Sequence, residues 1–446
     1  MASDNQRKSI SLAELERRYR DRNDESERLF EQARTVLPGG DTRSVTYTQP
    51  YPTFIDEASG CRMTTVDGDE VIDFLNNYTQ AIHGHAPEDV VEVMTDRIRK
   101  GNGLGSPTKD VIDLAERLVD RFPSIEQVRF GNSGTEATMN AIRAAIAYTE
   151  RDRVLKVAGG YHGTHDTVEI GISGEGREHK GVPSTVESRV DTVAYNDPEA
   201  LKSTFEAHGD EYACFILEPI LGASGMIPAT DEYLEAARDL TEAHDSLLIF
   251  DEVMSSRLST GGAQQKRGVI PDLTTLGKYI GGGLPIGAFG GRTDVMNVFH
   301  PDEGDVGHSG TFNGNPATMA GGAVALDALD AAAIDELDAH GETVRERVQA
   351  AGDAVDVPVT VTGEGSLFHV HFTEGPVTDM ASAGAGLEDS SEDDDHSLAF
   401  YLAMRERDIF MAPRGMGNIS TPMSGEEIDA FTQAAEAALR DVEQIV

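Results

Sequence analysis

Five short apolar segments of the sequence end in, or are followed by, residues that can do chemistry. Each has the composition of a buried strand, and an open α/β sheet binds ligands at the carboxyl ends of its strands. One sheet edge would therefore collect small residues, a tyrosine, two acids and a lysine, which suits a phosphorylated heteroaromatic cofactor that reacts with an amine. The segments are QVRF (127–130) before Gly131 to Glu136, RVLKV (153–157) before Gly159 to Gly163, ACFILE (213–218) with Glu218, LLIFD (247–251) with Asp251, and LTTLG (273–277) before Lys278.

The segment Ser133-Gly134-Thr135-Glu136 has the spacing of a helix-capping box at the start of an apolar-faced helix. Free backbone N–H groups at a helix N-terminus attract phosphate, so Ser133, Gly134 and Thr135 are candidates for holding a phosphate group. An ordinary helix cap has the same sequence, and the motif alone does not distinguish the two.

Lys278 follows a strand and precedes a run of three glycines. A lysine can form a Schiff base with a carbonyl compound when burial or neighbouring charges lower its pKa. The alternative is a surface lysine beside a flexible loop, which is the usual place for this residue. The chain has only eight lysines, and this scarcity weakens the alternative.

Asp251 and Tyr161 could serve the two sides of a bound ring. A carboxylate at the end of a buried strand is costly unless it is paired, and a protonated pyridine nitrogen would be a suitable partner for Asp251. Tyr161 could stack on one ring face. The alternatives are a capping aspartate and a core aromatic residue. His162, His165 and Asp166 fit no zinc spacing, so we expect hydrogen-bonding roles for them and no metal site.

The pattern of strand, loop and helix after residue 126 predicts an α/β fold with a mostly parallel central sheet. IGAFGG (286–291) is a further strand, and two helices are predicted at 136–150 and 231–244. Other expectations are a helical lead-in over 1–36, an Ala-rich helical region over 318–352, an acidic mobile loop over 374–397, and His369 and His371 on one face of a strand.

The composition is strongly acidic, with 78 Asp and Glu against 37 Lys and Arg, and a formal net charge of −41. Such a surface repels nucleic acid and anionic lipid, so neither is expected as a partner. No apolar run reaches the roughly 18 residues that a membrane span needs, and the polar N-terminus has no signal core, so we expect a cytoplasmic protein. Because the acids are spread along the chain, we interpret them as an adaptation to high salt.

Several longer motifs resemble the class III pyridoxal-phosphate (PLP) dependent aminotransferases. The similarity is greatest to the subgroup of glutamate-1-semialdehyde 2,1-aminomutase and the β-amino-acid transaminases, and it runs from about Leu37 to the C-terminus. The motifs are RFGNSGTEATMNAIRAA, KVAGGYHGTHD, LEPI, LLIFDEV, GGAQ, PDLTTLGKYIGGGLPIGAFGG and SGTFNGNPATMAGG.

This resemblance implies the fold type I architecture of PLP enzymes and a homodimer. A large α/β PLP-binding domain would cover residues 66–318. A small α+β domain would be built from both chain ends, with residues 1–65 as the N-terminal segment and 319–446 as the C-terminal part.

The resemblance also implies a role for each matching residue. Lys278 would carry the cofactor as a Schiff base and shuttle protons. Asp251 would pair with the pyridine nitrogen, and Val253 and Tyr161 would pack on opposite faces of the ring. Glu218 would support hydrogen bonding beside the ring, and Thr311 would contact the phosphate of the neighbouring subunit. The residues that would bind the phosphate are Ser133, Gly134 and Thr135.

The match departs from the aminomutase pattern around the substrate. Ala158 stands where an acid is usual, and Tyr78 aligns near a tryptophan. The nearest counterpart of an expected arginine is Arg43, in a segment more like the β-amino-acid transaminases, and Arg414 replaces an acidic-aromatic stretch. Arg43, Tyr78 and Arg414 are therefore the candidate substrate-binding residues.

These observations predict an aminotransferase that moves an amino group between a carboxylate-bearing amino compound and a keto acid or aldehyde. Its partners would be a small-molecule amino donor and a carbonyl acceptor. One alternative is glutamate-1-semialdehyde 2,1-aminomutase, an isomerase that makes 5-aminolevulinate. The other is a non-catalytic binding protein that keeps the fold, which the joint presence of Lys278, Asp251 and the phosphate residues disfavours.

The net charge leads to a prediction about salt. Mutual repulsion among the carboxylates disfavours the compact state when it is unscreened, so the melting temperature and the activity should rise between about 0.1 M and about 1 M potassium chloride. Thermal unfolding at a fixed protein concentration checks this. A melting temperature that is flat or falls over that range would contradict the interpretation.

Overall fold

The computed structural model describes residues 10–172, 180–384 and 392–445. Its strands, numbered in chain order, are β1 Ile55–Ser59, β2 Arg62–Thr65, β3 Glu70–Asp73, β4 Gln127–Gly131, β5 Arg153–Val157, β6 Val190–Val193, β7 Tyr212–Leu217, β8 Ile220–Leu221, β9 Ile227–Pro228, β10 Leu247–Asp251, β11 Leu273–Gly277, β12 Gly287–Gly291, β13 Thr360–Thr362, β14 Leu367–His371, β15 Ile409–Phe410 and β16 Met416–Asn418.

Helices separate most of these strands. They are α1 Leu12–Arg22, α2 Asp24–Ala33, α3 Asn76–Thr79, α4 Glu88–Lys100, α5 Lys109–Arg121, α6 Gly134–Thr149, α7 Asp166–Glu169, α8 Ser184–Glu187, α9 Pro198–His208, α10 Asp231–Ala243, α11 Gly262–Arg267, α12 Thr293–Met296, α13 Pro316–Ala328, α14 Ala331–Gly352, α15 Glu392–Arg405 and α16 Gly425–Val442.

A seven-stranded sheet in the order β4-β12-β11-β10-β7-β5-β6 forms the centre of the fold. It is mostly parallel, as predicted, and β12 alone runs antiparallel to its two neighbours. Every residue of β7, β10 and β11 is buried, which explains why these strands have continuous apolar sequences rather than alternating ones. The carboxyl ends of β4, β5, β7, β10 and β11 consequently meet at one edge.

Helices cover both faces of this sheet. Successive side chains of a strand point to opposite faces. Cys214 and Ile216 of β7 therefore pack in the cluster that contains α6, whereas Phe215 and Leu217 pack in the cluster that contains α10. This two-sided burial fixes the sheet edge rigidly, which is the requirement for a site assembled from strand ends.

Segments from both ends of the chain form smaller sheets beside the central one. β15 pairs in parallel with β3, joining Ile409 to Ile72, in the sheet β1-β2-β3-β15. A second sheet has the order β13-β14-β16. Phe431 of α16 packs on Phe74 and Phe368, with ring centroids 4.3 and 5.1 Å away, and so ties the two sheets to the C-terminal helix.

Two expectations need correction or limits. The predicted loop over 374–397 is wrong at its end, because α15 begins at Glu392; residues 385–391 lie outside the described residues. The acidic composition there is compatible with a helix whose apolar side begins only after Ser397. The helical lead-in is confirmed from Leu12, as two helices, while residues 1–9 are not described.

The Ala-rich region is helical as predicted, but it consists of α13 and α14, bent by 71°. Within the described residues no single helix is long and apolar enough to cross a membrane, although this bent pair would meet the criteria together by length and composition. His369 and His371 lie on one face of β14 as predicted, with their rings stacked 4.1 Å apart.

Candidate active site

The carboxylate of Asp251 lies at the end of β10, almost fully buried. One of its oxygens accepts hydrogen bonds from the backbone N–H of Val253 and the hydroxyl of Thr275, both at 3.1 Å. The other lies 2.8 Å from Nδ1 of His162. Because desolvation lowers the pKa of His162, we assign it as neutral, with Nδ1–H donating to Asp251. The predicted hydrogen-bonding role of His162 is thus present.

Two groups beside Asp251, Nε2 of His162 and the ring of Tyr161, could contact a bound molecule. Nε2 of His162 is buried and has no hydrogen-bond partner among the described residues. The ring of Tyr161 is 43% exposed, although the residue belongs to a loop packed on the sheet edge. A carboxylate held in place, next to an aromatic ring with a free face, is an arrangement suited to a planar cationic ring.

Glu218 lies at the end of β7 and holds the loop that carries Tyr161. Its carboxylate accepts hydrogen bonds from the backbone N–H groups of Tyr161, at 2.9 Å, and Gly222, at 3.2 Å. Desolvation and repulsion by Asp251 raise the pKa of Glu218. The role of Glu218 in hydrogen bonding beside a bound ring stays a prediction.

Lys156 is a buried cation that the sequence did not single out. Its Nζ donates to the carbonyl oxygens of Gly160, Val168 and Ile170, at 3.1, 2.6 and 2.7 Å. Desolvation lowers its pKa to about 7. These three bonds close the loop after β5, so that Tyr161 and His162 are held from both sides.

The turn between β4 and α6 forms a tight cradle of small residues. The hydroxyl of Ser133 caps α6 by accepting from the backbone of its first turn, at 3.1 Å, and Gly134 begins the helix. The hydroxyl of Thr135 accepts from the N–H of Thr164 at 3.3 Å. A Cβ on Gly287 would lie 1.9 Å from the carbonyl oxygen of Ser133, so β12 can approach this turn only with glycine. The helix N-terminus is directed at the same edge as Asp251.

Lys278 follows β11 directly and has a left-handed φ of 54°, which is uncommon for a residue other than glycine. Desolvation lowers its pKa to about 8, against the attraction of Asp251 and Glu218. Val253 lies between this strand end and the helix cap, because a Cβ on Gly134 or Gly277 would be 3.4 Å from its methyl groups. Lys278, Asp251 and Val253 are therefore neighbours.

A left-handed turn, α3, lies close to the candidate substrate residues. Asn76, Asn77, Tyr78 and Thr79 have φ values of 48°, 48°, 55° and 73°. This conformation costs L-residues about 1–2 kcal/mol each, and asparagine less than the others. Four such residues in a row persist only where surrounding contacts impose them, and strain of this kind clusters at functional sites.

Arg43 and Tyr78 meet at this turn. The guanidinium of Arg43 donates to Oδ1 of Asn77 at 2.8 Å, and its Cζ lies 6.0 Å from the centre of the Tyr78 ring. The hydroxyl of Tyr78 donates to the carbonyl oxygen of Val45 at 2.6 Å. Both residues line a cavity of about 320 Å³, whose other walls combine apolar residues such as Phe54 and Phe410 with polar ones that include Asp41 and Asp73.

Arg414 is exposed in the loop before β16. Desolvation raises the pKa of Tyr78 to about 12, while the cations of Arg43 and Arg414 oppose that rise. Arg414 is thus close enough to Tyr78 to act on it, although it does not line the 320 Å³ cavity.

Thr311 does not line the cavity beside Arg43. It lies on an exposed loop that lines a different cavity, of about 1330 Å³, together with residues 102–107. The base of this loop is held by its own chain, since Asn132 donates to Oδ1 of Asn313 at 2.8 Å. Ser133, Gly134 and Thr135 are not among the residues that line this cavity.

Comparison with known proteins agrees with this geometry. Residues 43–412 match the family described as aminotransferase class-III. The chain belongs to the class-III aminotransferases. This confirms the family resemblance and, with it, the fold type I architecture of a large mostly parallel sheet beside smaller sheets.

Relatives of this aminotransferase differ in their named activities. A glutamate-1-semialdehyde 2,1-aminomutase from Methanothermobacter thermautotrophicus is 39% identical over 93% of this chain and 98% of its own. A beta-phenylalanine transaminase from Variovorax paradoxus is 38% identical over 95% and 94%. The solved omega-transaminase from Sphaerobacter thermophilus is 40% identical, covers 95% of this chain and 99% of its own, and superimposes with a TM-score of 0.90.

The residues of this class-III aminotransferase fit pyridoxal phosphate. Buried Asp251 lies where a protonated ring nitrogen could pair with it, and the unpartnered Nε2 of His162 is adjacent. Val253 and the exposed ring of Tyr161 could enclose the two ring faces. The α6 N-terminus offers a phosphate cradle, and Lys278 offers an amine of lowered pKa.

Several functional contacts were missed from the sequence. Thr275 supports Asp251 from inside the strand LTTLG, and Lys156 supports the loop of Tyr161 from inside RVLKV. A polar residue within an apolar strand was the available signal in both. Asn77 carried no such signal, because its contact with Arg43 depends on a backbone conformation that the sequence does not predict.

The lowered pKa of Lys278 leads to a pH prediction. Only the neutral amine attacks a carbonyl, so the rate at which the apoprotein takes up pyridoxal phosphate should rise as pH increases and level off above about pH 8. Absorbance during uptake measures the rate, and borohydride reduction followed by peptide mapping should tag the peptide that contains Lys278. A rate that keeps rising to about pH 10, the value for exposed lysine, or a tag on another lysine such as Lys156, would contradict it.

Proposed function

We propose that this class-III aminotransferase uses pyridoxal phosphate to move an amino group from a carboxylate-bearing amino compound to a separate keto acid or aldehyde. The observation that carries this proposal is the convergence of Lys278, Asp251, Tyr161 and the α6 N-terminus at one sheet edge, with Arg43 fixed beside it. The cofactor assignment is supported by a solved transaminase with PLP bound, which is 38% identical and covers 94% of this chain.

Bound pyridoxal phosphate supplies an electron sink for the carbon that loses its proton. Asp251, held by three hydrogen bonds, keeps a negative charge where it can stabilise a protonated ring nitrogen. Lys278 would hold the cofactor covalently through its amine. Because that amine has a pKa of about 8, once released it can take a proton from the substrate and return it elsewhere near neutral pH.

The proposed carboxylate specificity depends on Arg43. A guanidinium offers a planar fork of donors that matches a carboxylate, and lysine does not reproduce it. One edge of the Arg43 guanidinium is used by Asn77, which leaves other donors for a substrate. The apolar part of the cavity at Arg43 and Tyr78, formed by residues such as Phe54 and Phe410, would accept an apolar group of a substrate whose carboxylate binds Arg43.

Aminomutase activity is the second candidate, because relatives named glutamate-1-semialdehyde 2,1-aminomutase match almost the full chain. The residues that would bind the cofactor serve both reactions equally. Arg43, Tyr78 and Arg414, which depart from the aminomutase pattern, favour the transaminase.

An assay with a single substrate separates the two functions. Holoenzyme given glutamate-1-semialdehyde alone should form little 5-aminolevulinate, whereas a panel of α- and β-amino acids with 2-oxoglutarate or pyruvate should show transfer. The conversion of the cofactor between its pyridoxal and pyridoxamine forms is followed by absorbance. Rapid production of 5-aminolevulinate, without transfer from any amino acid to a keto acid, would establish the mutase instead.

Arginine variants test the carboxylate site. Removing a charged hydrogen-bond partner costs about 1.5–3 kcal/mol, so Arg43→Ala or Arg414→Ala should raise KM for a carboxylated donor by at least about tenfold, and much less for a simple amine. Arg440→Ala is the control, since Arg440 is exposed and pairs with Glu436 on the surface of α16. Equal effects of both variants on the two kinds of donor would place the carboxylate elsewhere.

We also propose that the enzyme is a homodimer in which Thr311 contacts the phosphate bound by the other subunit. Thr311 and Phe312 are exposed at a large cavity, and Phe312 is 65% exposed, which is typical of a surface that another chain covers. The exposure of this loop, whose base lies close to the phosphate cradle through the bond from Asn132 to Asn313, supports a contact between subunits near the phosphate sites.

Subunit mixing tests the shared site. Thr311→Ala should bind the cofactor more weakly, and co-expression with Lys278→Ala should produce mixed dimers in which one site has both residues intact. Activity should reappear in the mixed dimers, and light scattering should give the mass of two chains. A monomeric active enzyme, or mixed dimers without recovered activity, would refute the proposal.

A further inference from the structure

The left-handed turn α3 is held at both ends by buried polar side chains. At its start, Oδ1 of Asp73 accepts from the N–H groups of Leu75 and Asn76, at 2.8 and 2.9 Å. The side chain of Asn76 donates to the carbonyl oxygen of Asn418 at 2.9 Å, and the side chain of Asn418 donates back to Leu75 at 2.8 Å.

Arg257 closes the other end of the turn. Its guanidinium donates to the carbonyl oxygen of Thr79 at 3.4 Å and to Oδ1 of Asn418 at 3.1 Å, and it also donates to the carbonyl oxygen of Ile419. The side chain of Arg257 therefore joins Thr79, the last residue of the turn, to Asn418, which holds the first residue, Asn76.

The burial of Arg257 is unusual for a structural residue. It is 1% exposed, and among the described residues no carboxylate lies within ion-pair distance of its guanidinium, although Asp338 attracts it from farther away. An arginine is costly to bury on neutral acceptors alone. Its acceptors all belong to the turn or to the strand end that supports it, which indicates that the shape of the turn is what this residue maintains.

The turn in its present shape fixes the proposed carboxylate-binding arginine. Asn77 accepts from Arg43 and Tyr78 donates to Val45, so the loop that carries Arg43 is attached to two side chains of the turn. Both side chains would point elsewhere if these residues returned to right-handed φ values. The position of Arg43 thus depends on a backbone conformation that its own residues do not favour.

We propose that Arg257 is a positioning residue, whose guanidinium holds the left-handed turn Asn76–Thr79 in the shape that fixes Arg43 for carboxylate binding. The inference rests on the proposed function for the role of Arg43. Arg257 itself does not contact the substrate in this scheme. It acts through Thr79, Asn77 and Arg43 in turn.

The test compares Arg257→Met with Arg121→Met in the holoenzyme. Arg121 is a matched control, because its guanidinium also donates to two backbone carbonyl oxygens, those of Leu326 and Leu329, but at the end of α13. KM is measured for the best carboxylated donor of the screen and for the same amine without its carboxylate. Hydrogen exchange of the peptide spanning residues 74–81 reports on the turn directly.

We expect Arg257→Met to raise KM for the carboxylated donor on the order of tenfold, as loss of a charged hydrogen bond would, with a much smaller change for the simple amine. Exchange in residues 74–81 should accelerate. Arg121→Met should change neither. Equal changes in both KM values, or exchange no faster than in the control, would overturn the proposal. If Arg257→Met does not fold, Arg257→Lys gives the same test, because lysine keeps the charge but loses the fork.

A second-site change provides a rescue. Glycine adopts φ near 73° without steric cost, so Thr79→Gly should let the turn form with less help from Arg257. Added to Arg257→Met, it should restore part of the affinity for the carboxylated donor, and failure to restore any would contradict positioning through the turn. Should Arg43→Ala alone leave carboxylate preference unchanged, the proposed substrate site fails, and the exchange data still decide whether Arg257 holds the turn.

Discussion

Asp251 can keep its charge at the end of a buried strand only because three groups from different segments surround it. Val253 supplies a backbone N–H, Thr275 a hydroxyl and His162 a ring N–H. An unpaired carboxylate in this position would protonate or destabilise the fold. The loop after β5, the strand β11 and the turn after β10 must all be in place to satisfy it, so this one charge requires the sheet edge to be assembled as a whole.

The ionisable groups near Asp251 are also buried, but burial has different results for an acid and for a lysine. Desolvation raises the pKa of Glu218 and lowers those of Lys156 and Lys278, so each is driven toward its neutral form. For Lys156 three carbonyl oxygens offset the cost, and the result is structural. Lys278 is partly buried, and none of the described residues accepts a hydrogen bond from its amine, which is left reactive. Burial therefore produces both the structural support of Lys156 and the reactive amine of Lys278. The two differ because the amine of Lys156 donates to three carbonyl oxygens.

Sequence patterns predicted the central sheet well because its strands are buried on both faces. RVLKV, LLIFD and LTTLG have boundaries identical to β5, β10 and β11, since a strand that is buried on both faces has a short continuous run of residues that tolerate burial. The same rule placed Lys278, Asp251 and Glu218 at one edge. The region around 374–397 was harder, because the acid-rich residues at the start of α15 have the composition of a loop.

The substrate side could be predicted only in part, for a physical reason. Arg43 and Tyr78 were found as candidates, but their positions depend on a turn whose four φ values oppose the preferences of its residues. Local propensity therefore predicts the wrong conformation there, and only long-range partners such as Arg257 and Asn418 impose the right one. Those partners lie about 180 and 340 residues away along the chain.

The cofactor site and the substrate side lie on different parts of the fold. For this reason membership of the family does not determine which compound receives the amino group. The groups that would bind the cofactor are fixed by the central sheet, and any relative that keeps the sheet edge keeps the common chemistry. A mutase must retain the intermediate for a second attack, whereas a transaminase must release it for a new acceptor. Which of the two happens depends on the residues that contact the rest of the substrate. In this chain those contacts would come from the loop of Arg43, the turn of Tyr78 and the loop of Arg414, all outside the central sheet. A few substitutions there can change the reaction while Lys278 and Asp251 stay as they are, which is how relatives of nearly equal identity can carry both names.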